Sequence, residues 1–464
     1  MEVLLYGSIG ISAIFLTFVI VITLHLLTVY MRTWKKMRPV PGIGPCYPFV
    51  GNALQFKASG QEFFDQVIQY TAEFRKEPLL KIWAGPLPFV VLFHADTVEA
   101  VLNSSRHMDK SFLYRFLQPW LGTGLLTSTG EKWRTRRKMI TPTFHFKILM
   151  DFLEVMNEQA KILVEKLEKK ADKEAFNCFS DITLCALDII CETAMGRKIH
   201  AQSNEDSEYV KAVYRMGELI HRRQKVPWMW PDFIYFSTAE GKQHKNNLKI
   251  LHSFTDSVIK ERTRMMARST ELSLVPEDEN GSEKSSKRKA FLDMLLTAKY
   301  DDGNLLKHEE IREEVDTFMF EGHDTTAAAI NWSLHLLASH PEIQQKVHSE
   351  LDEVFGELDR PPTMEDLKNL QFLDCVIKES LRLFPSVPMF ARTLRDGCNI
   401  RGYNIPKGVN AVIIPYALHR DPEHFPDPEE FKPERFLSEN SSGRHPYAFI
   451  PFSAGLRNCI GFFL

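Results

Sequence analysis

From Val3 to Met31 the chain carries no Asp, Glu, Lys or Arg. At ~1.5 Å per residue a helix over that run is roughly 40 Å long, enough to cross a hydrocarbon core of ~30 Å with some tilt. A cleavable signal peptide has a shorter apolar region and a small-residue cleavage site, and no clean site follows here. The other reading of such a run is a buried helix in a soluble protein, against which its length argues. Arg32, Lys35, Lys36 and Arg38 come directly after it and only Glu2 precedes it, so the positive-inside rule predicts that everything beyond residue 31 is cytoplasmic. Residues 1–31 therefore read as a transmembrane anchor. Residues 32–51, basic and holding Pro39, Pro41 and Pro45, read as a stiff hinge, and 52–464 as the body.

Within the body the apolar positions recur mostly at helical spacing, with β-like alternation near Leu79–Phe93 and Asn399–Ile414. A long helical pattern runs from Glu309 to Ser339, polar at its start, increasingly apolar, and stopped by His340-Pro341. A helix of about thirty residues is roughly 45 Å long and has to pass through the middle of the fold. Arg268–Lys289, rich in Ser, Glu, Asp and Lys and holding Pro276 and Gly281, predicts a solvated mobile loop inside one body and not a domain boundary. The expected class is mainly α with a smaller β region and a single-span N-terminal anchor.

Composition narrows the function. With 44% hydrophobic and 25% charged residues the 464-residue chain is neither disordered nor a multi-span membrane protein, and 33 Phe supply a large aromatic core. Lys+Arg of 57 against Asp+Glu of 60 leaves a net charge of -3, so no basic excess points to nucleic acid. The seven cysteines are scattered and lack zinc spacing, which predicts reduced thiols in a reducing compartment. The sequons at Asn103 and Asn280 then stay unused on the cytoplasmic side.

The densest chemical signal is Phe452-Ser453-Ala454-Gly455-Leu456-Arg457-Asn458-Cys459-Ile460-Gly461. From this composition the pattern Phe-x-x-Gly-x-Arg-x-Cys-x-Gly arises by chance in roughly one such chain in ten thousand. It resembles the haem-binding loop of the cytochrome P450 family, the haem-thiolate monooxygenases. The resemblance implies haem b with Cys459 as axial thiolate on the iron, pushing electron density toward O–O cleavage. Phe452, Gly455 and Gly461 belong to the same cradle: glycines let backbone approach the porphyrin without a Cβ, and loop amides hold the sulfur as an anion. Arg457 has the charge and reach for a haem propionate.

Other segments match the family in the right order. Glu379 and Arg382, one turn apart in a Glu-x-x-Arg helix, resemble its buried ion pair, and Arg435 in Phe431–Phe436 resembles the third member of that triad. These three imply a structural role; a lone Glu-x-x-Arg is expected by chance roughly once in a chain of this size and otherwise reads as a solvated surface pair. Trp133 and Arg137 resemble the Trp-x-x-x-Arg helix that donates to a propionate, with Arg134 and Arg136 pointing away as solvated charges. Arg392, after Pro385–Pro388, matches a further propionate position or is a surface charge.

On the oxygen side, Gly322-His323-Asp324-Thr325 resembles the Gly-x-Asp-Thr motif, in which Asp324 and Thr325 relay protons to the distal oxygen. Thr325 can bond back to the carbonyl of Glu321, bending the helix and opening a groove. Glu321 itself resembles P450 family 4, the fatty-acid ω-hydroxylases and their insect and vertebrate kin. There this carboxylate can be esterified to a haem methyl; the alternative is an unmodified buried carboxylate. It is expected on the same face as Gly322 and Thr325. Ser111–Thr127 and Pro227–Phe236 occupy positions of substrate-contacting segments, and the aromatics of the latter read equally as core or membrane contacts.

The resemblance covers Pro39 to Gly461. It implies an oxygenase at the endoplasmic reticulum membrane with its catalytic body on the cytoplasmic face, inserting one atom of O2 into an apolar small-molecule substrate such as a fatty acid. No Gly-x-Gly-x-x-Gly opens a helix here, so a separate NADPH-dependent reductase is the expected electron donor. Leu456 stands where family 4 usually has Pro. The sequence ends at Phe462-Phe463-Leu464, where relatives continue into a helix and a terminal β-hairpin. That raises the alternative of a non-catalytic truncated isoform or fragment, and with it the expectation of poor haem retention.

Overall fold

The apolar N-terminal run folds as one helix, Glu2–Met37, in a computed structural model that describes residues 2–57, 59–144, 146–171, 173–204, 207–273, 290–300, 302–356 and 360–462. Its apolar side chains from Ile14 to Val29 project away from the body. The helix runs six residues beyond Met31, so the first part of the expected hinge is helical. Two effects extend it. Lys35 and Lys36 complement the negative end of the helix dipole, and Lys81 Nζ donates to the terminal carbonyls of Met37 (2.9 Å) and Arg38 (3.0 Å). Aromatic packing then holds the exit to the body. Tyr30 stacks on Phe49 at 4.6 Å, Trp34 lies 4.8 Å from Trp83, and the Phe49 N–H donates to the Tyr30 hydroxyl at 2.9 Å. The junction is a clamp and not a hinge.

Trp83 belongs to β1 (Leu80–Ala84), which pairs antiparallel with β2 (Leu87–Leu92) across a turn at Gly85. β3 (Phe390–Thr393), β4 (Cys398–Ile400), β5 (Tyr403–Ile405) and β6 (Asn410–Ile413) complete the β region. The order β1-β2-β6-β3 joins β2 to β6 in parallel, and β4 and β5 form a separate hairpin. The patterns at 79–93 and 399–414 foretold five of these strands. β3 escaped notice because it is four residues long and follows a proline turn.

The central helix is His308–Ser339, unbroken, and packed chiefly against the helices Phe179–Thr193, Gln371–Leu383 and Ala239–Ser273. Val315, Met319 and Ala327 are wholly buried in it. Pro341 begins the next helix, Pro341–Phe355, where its missing N–H costs nothing. Of the expected loop Arg268–Lys289, residues up to Ser273 are helical and 274–289 lie outside the described residues. The Pro227–Phe236 aromatics divide. Tyr235 is fully buried and Trp230 packs on Phe112 at 5.0 Å, whereas Trp228 (66%) and Phe233 (79%) are exposed. All seven cysteines are free thiols.

His419 braces the segment that leads into the cysteine loop: its Nε2 accepts the Ile450 N–H at 2.9 Å. Complete burial lowers its pKa from 6.5 to about 3, assisted by the Arg382 and Arg420 charges. The folded state holds this imidazole neutral while the unfolded chain protonates it. Its contribution is therefore intact above pH 6.5 and is lost toward pH 3, at about 1.4 kcal/mol per pH unit. Denaturation midpoints measured across that range should flatten in His419→Gln, whose amide oxygen can still accept the Ile450 N–H.

Candidate active site

Everything around Cys459 is positioned by backbone contacts that its neighbours dictate. The Cys459 N–H donates to the Phe452 carbonyl (2.9 Å) and the Asn458 N–H to that of Gly455 (3.2 Å), closing the loop on itself. Gly455 sits at φ +72, and a Cβ there would lie 2.0 Å from the Leu102 carbonyl oxygen. Left-handed strain and backbone collision together put Gly455→Ala at roughly 2–5 kcal/mol. A thermal melt should show that loss, and haem retention should fall with it.

Arg457 is buried and its guanidinium donates to the carbonyls of Met108 (2.7 Å), Leu126 (3.0 Å) and Ser128 (2.5 Å), with the Trp133 ring 5.0 Å away. Trp133 and Arg137 lie on the helix Gly130–Ile140, and Arg137 donates to the Asn458 carbonyl (2.8 Å) and side chain (3.0 Å). The cysteine loop is thus tied to this helix through its own backbone. Cys459 as a residue is exposed, yet burial of its thiol by the protein packed around it raises its pKa. The Gly461 N–H, Arg137 and Lys110 pull the other way, and the Glu321 charge adds to the rise.

Arg136 corrects one expectation. It is not solvated but 1% exposed, donating to Glu310 (2.6 Å) and to the Tyr300 hydroxyl (2.8 Å) beneath the start of the central helix. Arg134 is exposed, as expected.

Arg392, on β3, is 2% exposed, which rules out the surface-charge reading. One guanidinium nitrogen meets the Arg457 carbonyl only at 3.5 Å and Nη1 has no partner among the described residues. Lys110 is held opposite it as a bridge partner, by the Thr393 N–H to Asp109 carbonyl bond (2.9 Å) and the Ser111 hydroxyl on Asn410 (2.8 Å). Its ammonium lies 4.6 Å from the Tyr114 ring centre. Burial lowers all three cations, and the Arg392 charge adds to the fall of the other two: Lys110 and Arg392 shift down, and Arg457 falls to about 9. Buried cations with an unpartnered guanidinium require an anion. The two propionates of a haem meet that need, and Cys459 offers the sulfur, so the residues present fit the group.

Opposite the loop, the Thr325 hydroxyl donates to the Glu321 carbonyl at 2.7 Å, and the Ser386 hydroxyl to the Thr325 carbonyl at 2.8 Å. Glu321 and Thr325 are one turn apart on a shared face. Gly322 is not on it: a Cβ there would lie 2.8 Å from Ile190 Cδ1, so this glycine lets the helix Phe179–Thr193 approach. Burial raises the Glu321 carboxyl to about 7, with Asp324 adding and Lys110 opposing, and burial raises Asp324 as well.

On the helix Gln371–Leu383, Arg382 donates to both oxygens of Glu379 (2.7 and 2.8 Å), each side chain fully buried. Arg435 Nε lies 3.3 Å from the same carboxylate, and Arg382 also binds the Pro428 carbonyl at 2.7 Å. The structure brings this trio together as a buried network and not a surface pair.

Lys110 escaped the reading of the sequence, because it lies in a loop without a motif, and Tyr114, on the short helix Phe112–Leu117, was read only as part of the segment Ser111–Thr127.

A cysteine loop, a buried cation cluster and an acid–alcohol helix on this fold define a haem-thiolate oxygenase. The sequence profile of the Cytochrome P450 family matches residues 41–464, and the chain belongs to that family and is a monooxygenase. It is 61% identical over 460 residues to rat Cytochrome P450 4V2, covering 99% of this chain and 87% of that protein. The human protein of the same name is 64% identical over 433 residues, covering 93% and 82%, and fruit-fly Cytochrome P450 4c3 is 49% identical over 442 residues, covering 93% and 81%. The relatives place the chain among the family 4 members.

Proposed function

We propose that this protein hydroxylates fatty-acid or similar lipid chains at the endoplasmic reticulum membrane, with electrons from an NADPH-dependent reductase. The observation that carries the reading is Glu321, a half-buried carboxylate one turn before Thr325 whose charge acts on Cys459 across the site. The haem, when bound, supplies O2 activation. Cys459 would hold the iron, and Arg392, Arg457 and Lys110 would hold the propionates, while Trp133 supports Arg457 and Arg137 braces the loop. Thr325 and Asp324 hold and pass protons on the opposite side, and Glu379, Arg382 and Arg435 keep the loop's floor in place.

Glu321 is the group we assign to an ester with a haem methyl. Forming that bond removes two electrons and two protons from the methyl and carboxyl groups, an oxidation that O2-dependent turnover supplies. Acid-organic extraction of turned-over protein that removes all haem would contradict it.

Membrane contact is supported beyond the anchor. Tyr47, Phe49, Val50 and Leu54 are exposed beside the clamp, and Trp228 and Phe233 lie on a neighbouring segment. Gly85 joins the two: a Cβ there would lie 3.7 Å from Phe49 and 3.8 Å from Pro227. An apolar rim beside the anchor suits substrates drawn from the bilayer. Incubation of the haem-loaded protein with laurate, reductase and NADPH should yield hydroxylaurate. A protein that consumes NADPH but oxidises no lipid chain would overturn the substrate class.

A further inference from the structure

The central helix carries a second polar face. Asp316 and His323 lie two turns apart on it, turned away from Glu321 and Thr325, and both are buried. Neither oxygen of Asp316 receives a well-formed hydrogen bond from the protein, and Tyr209 Oη, His323 Nε2 and Trp120 Nε1 are likewise unpartnered. Those of Asp316, Tyr209 and His323 share one region. The Tyr209 and His323 rings are 6.2 Å apart, and the Asp316 charge acts on the Tyr209 hydroxyl. The Thr255 hydroxyl beside Asp316 is engaged with the Leu251 (3.3 Å) and His252 (3.1 Å) carbonyls. Toward the surface, His252 Nε2 lies 3.8 Å from Asp316 Oδ2 and the His252 side chain is 23% exposed. Arg312, Asp256 and His308 surround that opening. At the inner end His323 adjoins Asp324.

The four such atoms of Asp316, Tyr209 and His323, without partners among the described residues, are what bound water satisfies. Burial pushes the Asp316 carboxyl well above its usual range, against the pull of Thr255 and Arg312. His323 Nδ1 donates to the Met319 carbonyl (2.5 Å), which leaves Nε2 with its lone pair. We propose that Asp316, Tyr209 and His323 form a hydrated line that carries protons from the His252 surface to Asp324 and Thr325.

The inference rests on the reading of Asp324 and Thr325 as the proton-handling pair. A proton leaves the Asp316 carboxyl for water, passes the Tyr209 hydroxyl to His323 Nε2, and leaves that nitrogen through water for the Asp324 carboxylate. Asp316 regains a proton from solvent past His252. No other bond changes and no electron moves. The oxygenase reaction takes two protons and two electrons for each O2 and substrate C–H bond, giving alcohol and water.

Asp316→Asn and Tyr209→Phe keep shape and remove the transferable proton. In the haem-loaded protein with reductase, each should divert electrons from product to hydrogen peroxide and raise the solvent isotope effect, while substrate binding is unchanged. The loss of coupling should be roughly tenfold, short of the ~100-fold for a general acid at the reacting atoms. Infrared spectroscopy of the folded protein should show a protonated-carboxyl band that vanishes in Asp316→Asn, a readout independent of turnover. An ionised Asp316, or coupling equal to wild type in both variants beside an uncoupled Thr325→Ala, overturns the line alone. Unchanged coupling in Thr325→Ala overturns the pair, and the line with it.

Discussion

Replacing Cys459 with serine should leave a folded protein without a thiolate signature and without oxygenase turnover. The loop does not depend on the sulfur: the residue 459 amide still donates to Phe452, and Arg457 and Arg137 still grip the surrounding backbone. Serine, however, stays a neutral hydroxyl at neutral pH and gives iron no anionic ligand. Removing a residue that merely orients a metal ligand already costs ~10–100-fold in affinity or activity, so loss of the ligand itself should exceed ~100-fold. Product analysis and the absorbance of the purified variant check this, with a melting curve to show that the fold persists. A variant that hydroxylates at wild-type rate would mean that some other residue ligates the iron.

The second large effect concerns folding. Glu379→Ala should cost about 3–5 kcal/mol, because it strands Arg382, with no exposed surface, and Arg435 beside it. A typical domain has only about 5–15 kcal/mol to lose. The variant should therefore unfold at markedly lower denaturant, or fail to accumulate. Glu379→Gln retains an acceptor and a matching shape and should lose less. Equal midpoints for wild type and Glu379→Ala would show the network to be peripheral.

What the sequence disclosed and what it hid divide along contact range. The cysteine loop and the Glu379–Arg382 helix are local patterns with fixed spacing, and both took the local form expected of them. Thr325 bonding back to Glu321 is likewise a matter of one helical turn. Orientation about a helix was less legible. Gly322 was expected beside Glu321, but one residue along a helix turns the side chain by about 100°, and Ile190 occupies that side. Arg136 was misread for a similar reason. In a run of basic residues nothing local says which one meets Glu310 and Tyr300 from distant segments. Lys110 is placed only by pairing with β3, a strand far along the chain. The line of Asp316, Tyr209 and His323 draws on two helices, and no periodicity in either announces it. The anchor's clamp required knowing that Trp83 would face Trp34.

The central claim is that iron is held by the Cys459 sulfur as an anion. A carbon-monoxide difference spectrum of the reduced wild-type protein tests it most directly, with Cys459→Ser measured alongside. The predicted result is the red-shifted band of thiolate-ligated haem in the wild type and its absence in the variant. The same band in both proteins, or a histidine-type band in the wild type, would contradict the claim.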